Sequence, residues 1–513
     1  MSIVVLSVVY ALLLLVPNAL AYNILVVFSH PGKSHVAVFS PLVKELDRLG
    51  HNITLITYVP VADNTTKNTR DIIVGEPMLE VVDLQNALSS MRLRSIEGPF
   101  MISFFAHESC VNGLSSPAFQ SFLTENNEFD VILFEFFNTN CYMGLANKFK
   151  APFIGLSSCS FMPWHANWLG APENPAFNQD LFSGFSRPMS FFDRVENTLL
   201  RVYTTAMYNI GMSKPGNQYS EKYIGEPAAD PHDASLLLVN THHTLHGARL
   251  LTPSIIEVGG IHLHNKQPKK LPEALESWIN NSDAGVIYFS LGSMIKGVTF
   301  PAARREAFVG AFARLRQRVL WKWENDTMPD KPDNVMIYKW MPQFDILCNP
   351  KVKVFISHGG LLGTTEAIQC GVPVIVLPQF GDQLNNAKAL ENVGGGVVLY
   401  LQEVTEEKVY NALQTVLSAE YQLNAKALSS RFKDRPLPAM DTAVYWIEHV
   451  ARHKGADHMR SPAINLPFYQ YFLIDVIAFL ALVSLISSYL FFRISKVVLR
   501  SVLTRNKTKE KSS

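Results

Sequence analysis

From Val476 to Phe492 the chain carries no charged residue. Inside a bilayer a single segment of this kind has one backbone solution, a helix, because each peptide N–H and C=O must be paired within the segment itself. Residues 468–492 form the expected transmembrane helix, with Asp475 reaching for the interface, and their length suits the ~20 residues that cross a hydrocarbon core. Arg493, Lys496, Arg500, Arg505, Lys507, Lys509 and Lys511 follow, against a lone Glu510. Positive charge stays on the cytosolic side. Residues 493–513 are therefore expected to be a cytosolic basic tail, and everything upstream of the helix to be lumenal.

The N-terminus agrees with that orientation. Ile3 to Val16 is almost wholly apolar and leads to Ala19-Leu20-Ala21, a small-x-small cleavage pattern. Residues 1–21 read as a signal peptide, although its first residues lack Lys or Arg and an uncleaved anchor is the alternative. Lys509 and Lys511 sit five and three positions from the end, like a retrieval address of the endoplasmic reticulum. Asn52, Asn64, Asn280 and Asn325 each open an Asn-x-Ser/Thr triplet and are candidate lumenal glycan acceptors. The five cysteines are odd in number and form no Cys-x-x-Cys pair. The expectation is buried thiols, with one lumenal disulfide as the alternative. A formal net charge of +1 offers no electrostatic case for nucleic acid.

Between these ends the chain reads as two α/β halves, residues 22–263 and 273–450. Asn23 to Phe28 has β character, Val36 to Leu49 has apolar residues on one helical face, and Ile53 to Tyr58 is the next strand. That is a βαβ unit of a parallel sheet. A second series has strands at Val286–Ser290, Val352–Ser357 and Pro373–Leu377, with helices around Thr364–Gln369 and from Gln383. The basic, proline-bearing stretch from His264 to Pro272 separates the halves. Residues 160–225 are rich in aromatic residues, and Phe161, Trp164 and Trp168 are candidates to line a pocket for an apolar ligand.

The densest chemistry lies in Phe355–Gln383, FISHGGLLGTTEAIQCGVPVIVLPQFGDQ. A buried strand ends at Ser357, and His358 with two glycines lets backbone approach a ligand. A helix opening near Thr364 presents N–H groups to an anion. Glu366 can accept two hydroxyls of a ribose. Asp382 and Gln383 emerge beyond the next strand, at the edge where open parallel sheets bind ligands.

This segment resembles the signature of family 1 UDP-glycosyltransferases, through His358, Gly360, Gly363, Glu366, Pro373, Pro378, Asp382 and Gln383. The resemblance spans the chain and is strongest to the membrane-bound animal enzymes. It implies two facing Rossmann-like domains of the GT-B type, a UDP-sugar as co-substrate and a small lipophilic acceptor. It also implies an inverting displacement, in a single-pass protein of the endoplasmic reticulum membrane that conjugates small molecules, as in detoxification. It leaves homo- or hetero-oligomerisation open. Carried over by residue, Trp340 and Gln343 resemble the contacts to the uridine, Ser293 a phosphate contact, and Asp382 and Gln383 the holders of the donor sugar. Lys322 stands where many relatives have arginine.

His35 lies sixteen residues before His51, the spacing that the family's catalytic histidine keeps. Its near-neutral titration suits a general base. His30, in the same loop, is the rival. Glu135 falls where the family usually has aspartate and is the expected orienting acid. No Asp-x-Asp motif occurs, and His242, His243, His246, His262 and His264 come without a carboxylate or cysteine framework, so no metal is expected. Glucuronate-using relatives tend to carry an arginine where this chain has Asn240, which favours UDP-glucose over UDP-glucuronate. The competing classes are a UDP-sugar or lipophile binding protein without turnover, and a hydrolase, which the lack of a Gly-x-Ser-x-Gly elbow disfavours.

Overall fold

The computed structural model describes residues 21–78, 84 and 91–510, without the side chains of 91–93 and 505–510. The apolar signal segment and Lys511 lie outside the described residues. A large unit ends at Arg460 and a small one begins at Ser461.

The large unit holds two sheets, each wholly parallel. The first is built from β1 (Asn23–Val27), β2 (Asn52–Thr57), β3 (Thr69–Ile73), β4 (Val131–Glu135), β5 (Phe153–Ser157), β6 (Leu236–Val239) and β7 (Ile255–Glu257), in the order 3-2-1-4-5-6-7. Every residue of β4, β5 and β6 is buried, the pattern of a parallel sheet covered on both faces. The period of two sorts the faces. Leu25, Val27, Ile132 and Phe134 face one core with helix α2 (Met91–Leu114). Ile24, Val26, Val131 and Leu133 face another with helix α1 (Lys33–Arg48). Helix α3 (Phe191–Met207) begins at a capping box made by Ser190 and Asp193.

The second sheet is built from β8 (Val286–Ser290), β9 (Arg318–Lys322), β10 (Val335–Tyr338), β11 (Val352–Ser357), β12 (Val374–Val376) and β13 (Gly396–Val398), in the order 10-9-8-11-12-13. Helices α4 (Leu361–Cys370) and α5 (Gln383–Asn392) follow β11 and β12. The chain then returns. Helix α6 (Ala439–His453) puts Met440, Ala443, Ile447 and Val450 into the core of the first sheet, although sequence places it with the second half. His51 marks the junction. Its Nδ1 accepts the Tyr22 N–H at 3.2 Å, and its Nε2 lies 3.2 Å from Glu448 of α6.

Both sheets reverse strand order at one place, between β1 and β4 in the first and between β8 and β11 in the second. A crevice opens at the carboxyl ends of the strands on either side of such a switch point. The loops after β1, β4, β8 and β11 therefore form the centre of any site between the halves.

The small unit carries helix α7 (Ile474–Glu510), of which Ile474–Thr504 is long and apolar enough to cross a membrane. Residues 468–471 form a separate short helix, because Leu473 adopts a left-handed conformation with φ 54°. Beyond Phe492 no Gly or Pro interrupts α7, and basic side chains near a helix C-terminus favour the dipole, so it continues into the basic tail.

The cysteines correct the expectation of buried thiols. Cys110 pairs with Cys141 and Cys348 with Cys370, at Cα separations of 6.1 and 4.7 Å, leaving Cys159 free. Each pair joins segments that are distant in sequence but adjacent in the fold, which spacing alone does not reveal. Thiol titration of the denatured, unreduced chain is expected to find one reactive group, rising to all five after reduction; five before reduction contradicts the pairing.

Candidate functional site

A cleft of about 750 Å³ lies between the two sheets, at the switch-point loops of both. Its size suits a nucleotide-sized ligand and a small partner.

On the first wall, α1 starts at Lys33 and sets His35 in its opening turn. A Cβ on Gly32 would stand 2.8 Å from the His30 ring, so only glycine lets His30 and His35 lie with ring centroids 4.5 Å apart. Glu135 ends β4, and the parallel register of β1 with β4 brings it beneath His35. Its side chain is 1% exposed, and its Oε1 lies 2.6 Å from His35 Nδ1. The extra methylene of glutamate is thus absorbed without loss of the hydrogen bond. Oε2 accepts the His30 N–H at 3.4 Å. Burial, then His35, holds the His30 ring well below the ordinary imidazole range, so it stays neutral and is the poorer proton acceptor.

Sequence reasoning missed Ser158. Its hydroxyl donates to Glu135 Oε1 at 2.9 Å and stands 2.7 Å from His35 Nδ1. Its place just beyond β5, next to β4 in the sheet, is the signal that was available. Asn240 lies behind it and does not line the cleft. Its Nδ2 donates to the Ser158 carbonyl at 2.9 Å, and its Oδ1 accepts the Gly260 N–H at 3.2 Å. With Nδ1 turned to the carboxylate, His35 keeps Nε2 for the cleft, and an imidazole held this way can take a proton from a hydroxyl.

Phe161, Trp164 and Trp168 do not line this cleft, which corrects the expected acceptor pocket. All three are buried in the first core, and Trp164 stacks on Tyr208 at 4.3 Å. They fill space behind the sheet, where large aromatic residues remove the most apolar area from water. Met101, Ile102 and Phe105 of α2, with Phe137, Leu181 and Phe182, form the apolar wall instead.

On the second wall, α4 opens at Leu361, three residues before the expected start. The Thr364 N–H donates to Gly360 O at 3.0 Å, and its side chain is wholly buried away from the cleft. The predicted Thr364 contact is thus replaced by the N–H groups of Leu361, Leu362 and Gly363, which a helix of this register leaves free. His358 sits between the two loops. A Cβ on Gly292 would meet its ring at 2.7 Å and one on Gly360 at 2.5 Å, so both positions need glycine. Burial, then Lys322, pushes His358 down to about 4, and its buried Nδ1 has no partner among the described residues.

Glu366 accepts from Gln343 Nε2 at 2.7 Å and from Lys266 Nζ at 2.8 Å. Lys266 comes from the linker, which sequence marked only as a connection. Trp340 is 69% exposed at the cleft rim, with Lys322 Nζ 5.9 Å from its ring centroid, and Ser293 lines the same wall. Lys322 donates to Glu324 at 2.8 Å. Gly363 leaves room for Gln343, whose Nε2 would otherwise lie 3.2 Å from a Cβ. Gln383 Oε1 accepts the Gln379 N–H at 2.9 Å. Burial raises the Asp382 carboxyl, opposed by an Asn386 amide at 2.8 Å. Arg94 of α2 crosses the cleft to donate to the Gln379 carbonyl. Arg249 lies outside the cleft, 3.7 Å from Glu173 and over the Phe161 ring. Asn52, Asn64, Asn280 and Asn325 are all exposed.

Two parallel sheets facing each other across a nucleotide-sized cleft are the architecture of a glycosyltransferase, and solved structures share it. The glycotransferase of kitacinnamycin has a TM-score of 0.56 at 19% identity, over 84% of this chain and 98% of that one. The glycosyltransferase VinC, solved with dTDP, has a TM-score of 0.57 at 15% identity, over 84% and 100%. Residues 19–509 match the model of the family described as UDP-glucoronosyl and UDP-glucosyl transferase, and the chain belongs to that family. It is 40% identical to the UDP-glycosyltransferase UGT5 of Dactylopius coccus, over 90% of this chain and 89% of the relative. It is 33% identical to the human UDP-glucuronosyltransferase 1A8, over 81% and 79%. The protein is an enzyme that transfers a glycosyl group from a UDP-sugar to an acceptor.

Burial also lowers His165, His242 and His262 to about 3, and His246 to about 4. In the unfolded chain these imidazoles bind protons below about 6.5, whereas in the folded chain they stay neutral until near 3 to 4. Between those limits the unfolded chain binds more protons, so stability falls as pH falls. The melting temperature is expected to drop steadily from pH 7 to pH 5; a flat profile contradicts the neutral burial of these rings.

Proposed function

We propose that the enzyme moves a sugar from UDP-glucose, in preference to UDP-glucuronate, onto a hydroxyl of a small lipophilic acceptor, with inversion. His35 Nε2 takes the acceptor's proton as its oxygen attacks the anomeric carbon. The bond from that carbon to the diphosphate oxygen breaks, and UDP leaves from the opposite face with the electron pair. Glu135 holds His35 in the productive tautomer and balances the imidazolium. Trp340, Gln343 and Glu366 take the uridine and its ribose. Asp382 and Gln383 take the sugar. The α4 N–H groups with Ser293, His358 and Lys322 meet the charge growing on the diphosphate, so no metal is required.

One observation carries this reading: the His35–Glu135 pair at 2.6 Å opens onto the same cleft as the donor-side residues. The preference for a neutral sugar is supported by the cleft's cations. Among the described residues these are Arg94, Lys266 and Lys322, each already held by a carbonyl or carboxylate. The anchor, the basic tail and the two disulfides support a single-pass protein of the endoplasmic reticulum with lumenal catalytic halves, glycosylated at exposed Asn-x-Ser/Thr sites.

His35→Ala is expected to cut turnover by about 10²–10⁴-fold, with UDP affinity by calorimetry unchanged. Full turnover in that variant sinks the assignment. Trp340→Ala should weaken UDP binding by about 1–3 kcal/mol. A donor panel run with EDTA present tests both remaining claims: UDP-glucose should exceed UDP-glucuronate, and activity should persist without free metal.

A further inference from the structure

His30 lines the cleft beside His35 but takes no proton in the reaction. Its backbone N–H is held by Glu135, whereas its ring makes no hydrogen bond among the described residues. Buried polar groups are nearly always partnered, and one that is not calls for a reason. A phenyl ring would fill the same place without burying an unpaired nitrogen. Packing alone therefore does not account for an imidazole here.

Three neighbours fix the ring. Phe137 meets it edge-on at 4.9 Å and meets His35 in the same way at 4.4 Å. The two imidazoles lie 4.5 Å apart. On the third side is Gly32. From the place a Cβ would take there, His30 Nε2 is 3.0 Å and His35 Cδ2 3.3 Å away. Cδ2 is bonded to Nε2 within an imidazole, so the two rings turn their Nε2 edges the same way. Nδ1 of His30 is on the buried edge, without a partner. A buried N–H with no acceptor is rarer than a buried acceptor with no donor. The neutral ring therefore carries its proton on Nε2, as a donor. Burial, then His35, keeps it from taking up a second proton.

We propose that His30 Nε2–H donates to a second oxygen of the acceptor, on the carbon next to the one that bears the attacking hydroxyl. His30 is then a specificity-determining residue, and the preferred acceptors carry two oxygens on neighbouring carbons. His35 takes the proton of one oxygen while His30 holds the other. Oxygens on neighbouring carbons stand closer together than the 4.5 Å between the two rings, so both contacts close at once. An oxygen on the far side of a benzene ring cannot be shared in this way. The division of labour follows from the two environments: one imidazole is paired with a carboxylate, and the other is buried without one. The inference rests on the reading of His35 as the base given above.

The test compares 2-methoxyphenol with 4-methoxyphenol, which carry one hydroxyl each and differ in where the second oxygen lies. The full chain is assayed with UDP-glucose and with UDP-glucuronate, as wild type, His30→Leu, His30→Phe and His30→Gln. The readout is the ratio of kcat/KM for the two acceptors, in which a general change of activity cancels. The wild-type ratio of the ortho to the para isomer is expected to exceed that of the apolar variants by about three- to tenfold, the weight of one neutral hydrogen bond. His30→Gln, whose amide offers an N–H at similar reach, is expected to restore most of it. UDP affinity by calorimetry shows which variants fold, and either apolar variant serves. One ratio shared by wild type and the apolar variants overturns the proposal while His35 keeps its role. A His30→Gln ratio equal to theirs also overturns it, because shape then sets the preference. Loss of both acceptors in every His30 variant that binds UDP makes His30 the base, which overturns the proposal and the His35 assignment together. No turnover of either acceptor by the wild type overturns the proposal along with the reading of the acceptor.

Discussion

The site depends on one sheet pairing. β1 and β4 run side by side in parallel, with Val27 opposite Phe134. The loop after β1 leads into α1, whose first turn carries His35, and the last residue of β4 is Glu135. A carboxylate 1% exposed is costly unless paired and hydrogen-bonded. Here it takes the imidazole, the Ser158 hydroxyl and a backbone N–H. The same groups that make the residue tolerable in the interior fix the ring for chemistry, so position and function come from one set of bonds.

The second wall repeats the logic without a charged pair. Gly292 and Gly360 hold His358 between two loops by leaving no room for any side chain of their own. The ring is kept neutral by its surroundings, beside N–H groups at the start of α4. One half offers a base and the other a collection of donors, each at a switch point of its own sheet. The two walls are bridged by Arg94 reaching Gln379 and by Asn385 donating to the Asp180 carbonyl at 3.4 Å.

Much of this was legible in the sequence. Strands such as Val286–Ser290 and Val352–Ser357 are short apolar runs bounded by glycine or polar loops, and the donor motif has many spaced positions, so both could be located. What could not be read depended on which way a face turns. Trp164 and Trp168 have the composition of a pocket but lie behind the sheet, and composition carries no direction. Helix α2 has polar, aromatic and small residues mixed around its circumference, because it is apolar toward both the cleft and the outside, and so shows no periodicity. Ser158 and Lys266 act through partners about 20 to 120 positions away, and Cys110 and Cys141 meet only once α2 is packed. Thr364 was misplaced because Gly359, Gly360 and Gly363 make the stretch after Ser357 read as loop, whereas the helix already opens at Leu361 and takes Gly363 into its first turn.

The return of α6 to the first sheet ties the ends of the large unit together. His51 and Glu448, 397 positions apart, touch across this seam. During synthesis the amino-terminal half emerges with that face of its sheet covered by α1 alone, and the rest of its cover, α6, is not made until after the whole nucleotide-binding half. The core of the earlier half is therefore completed only when the last helix of the later one is in place, so the two halves share a core rather than closing one after the other.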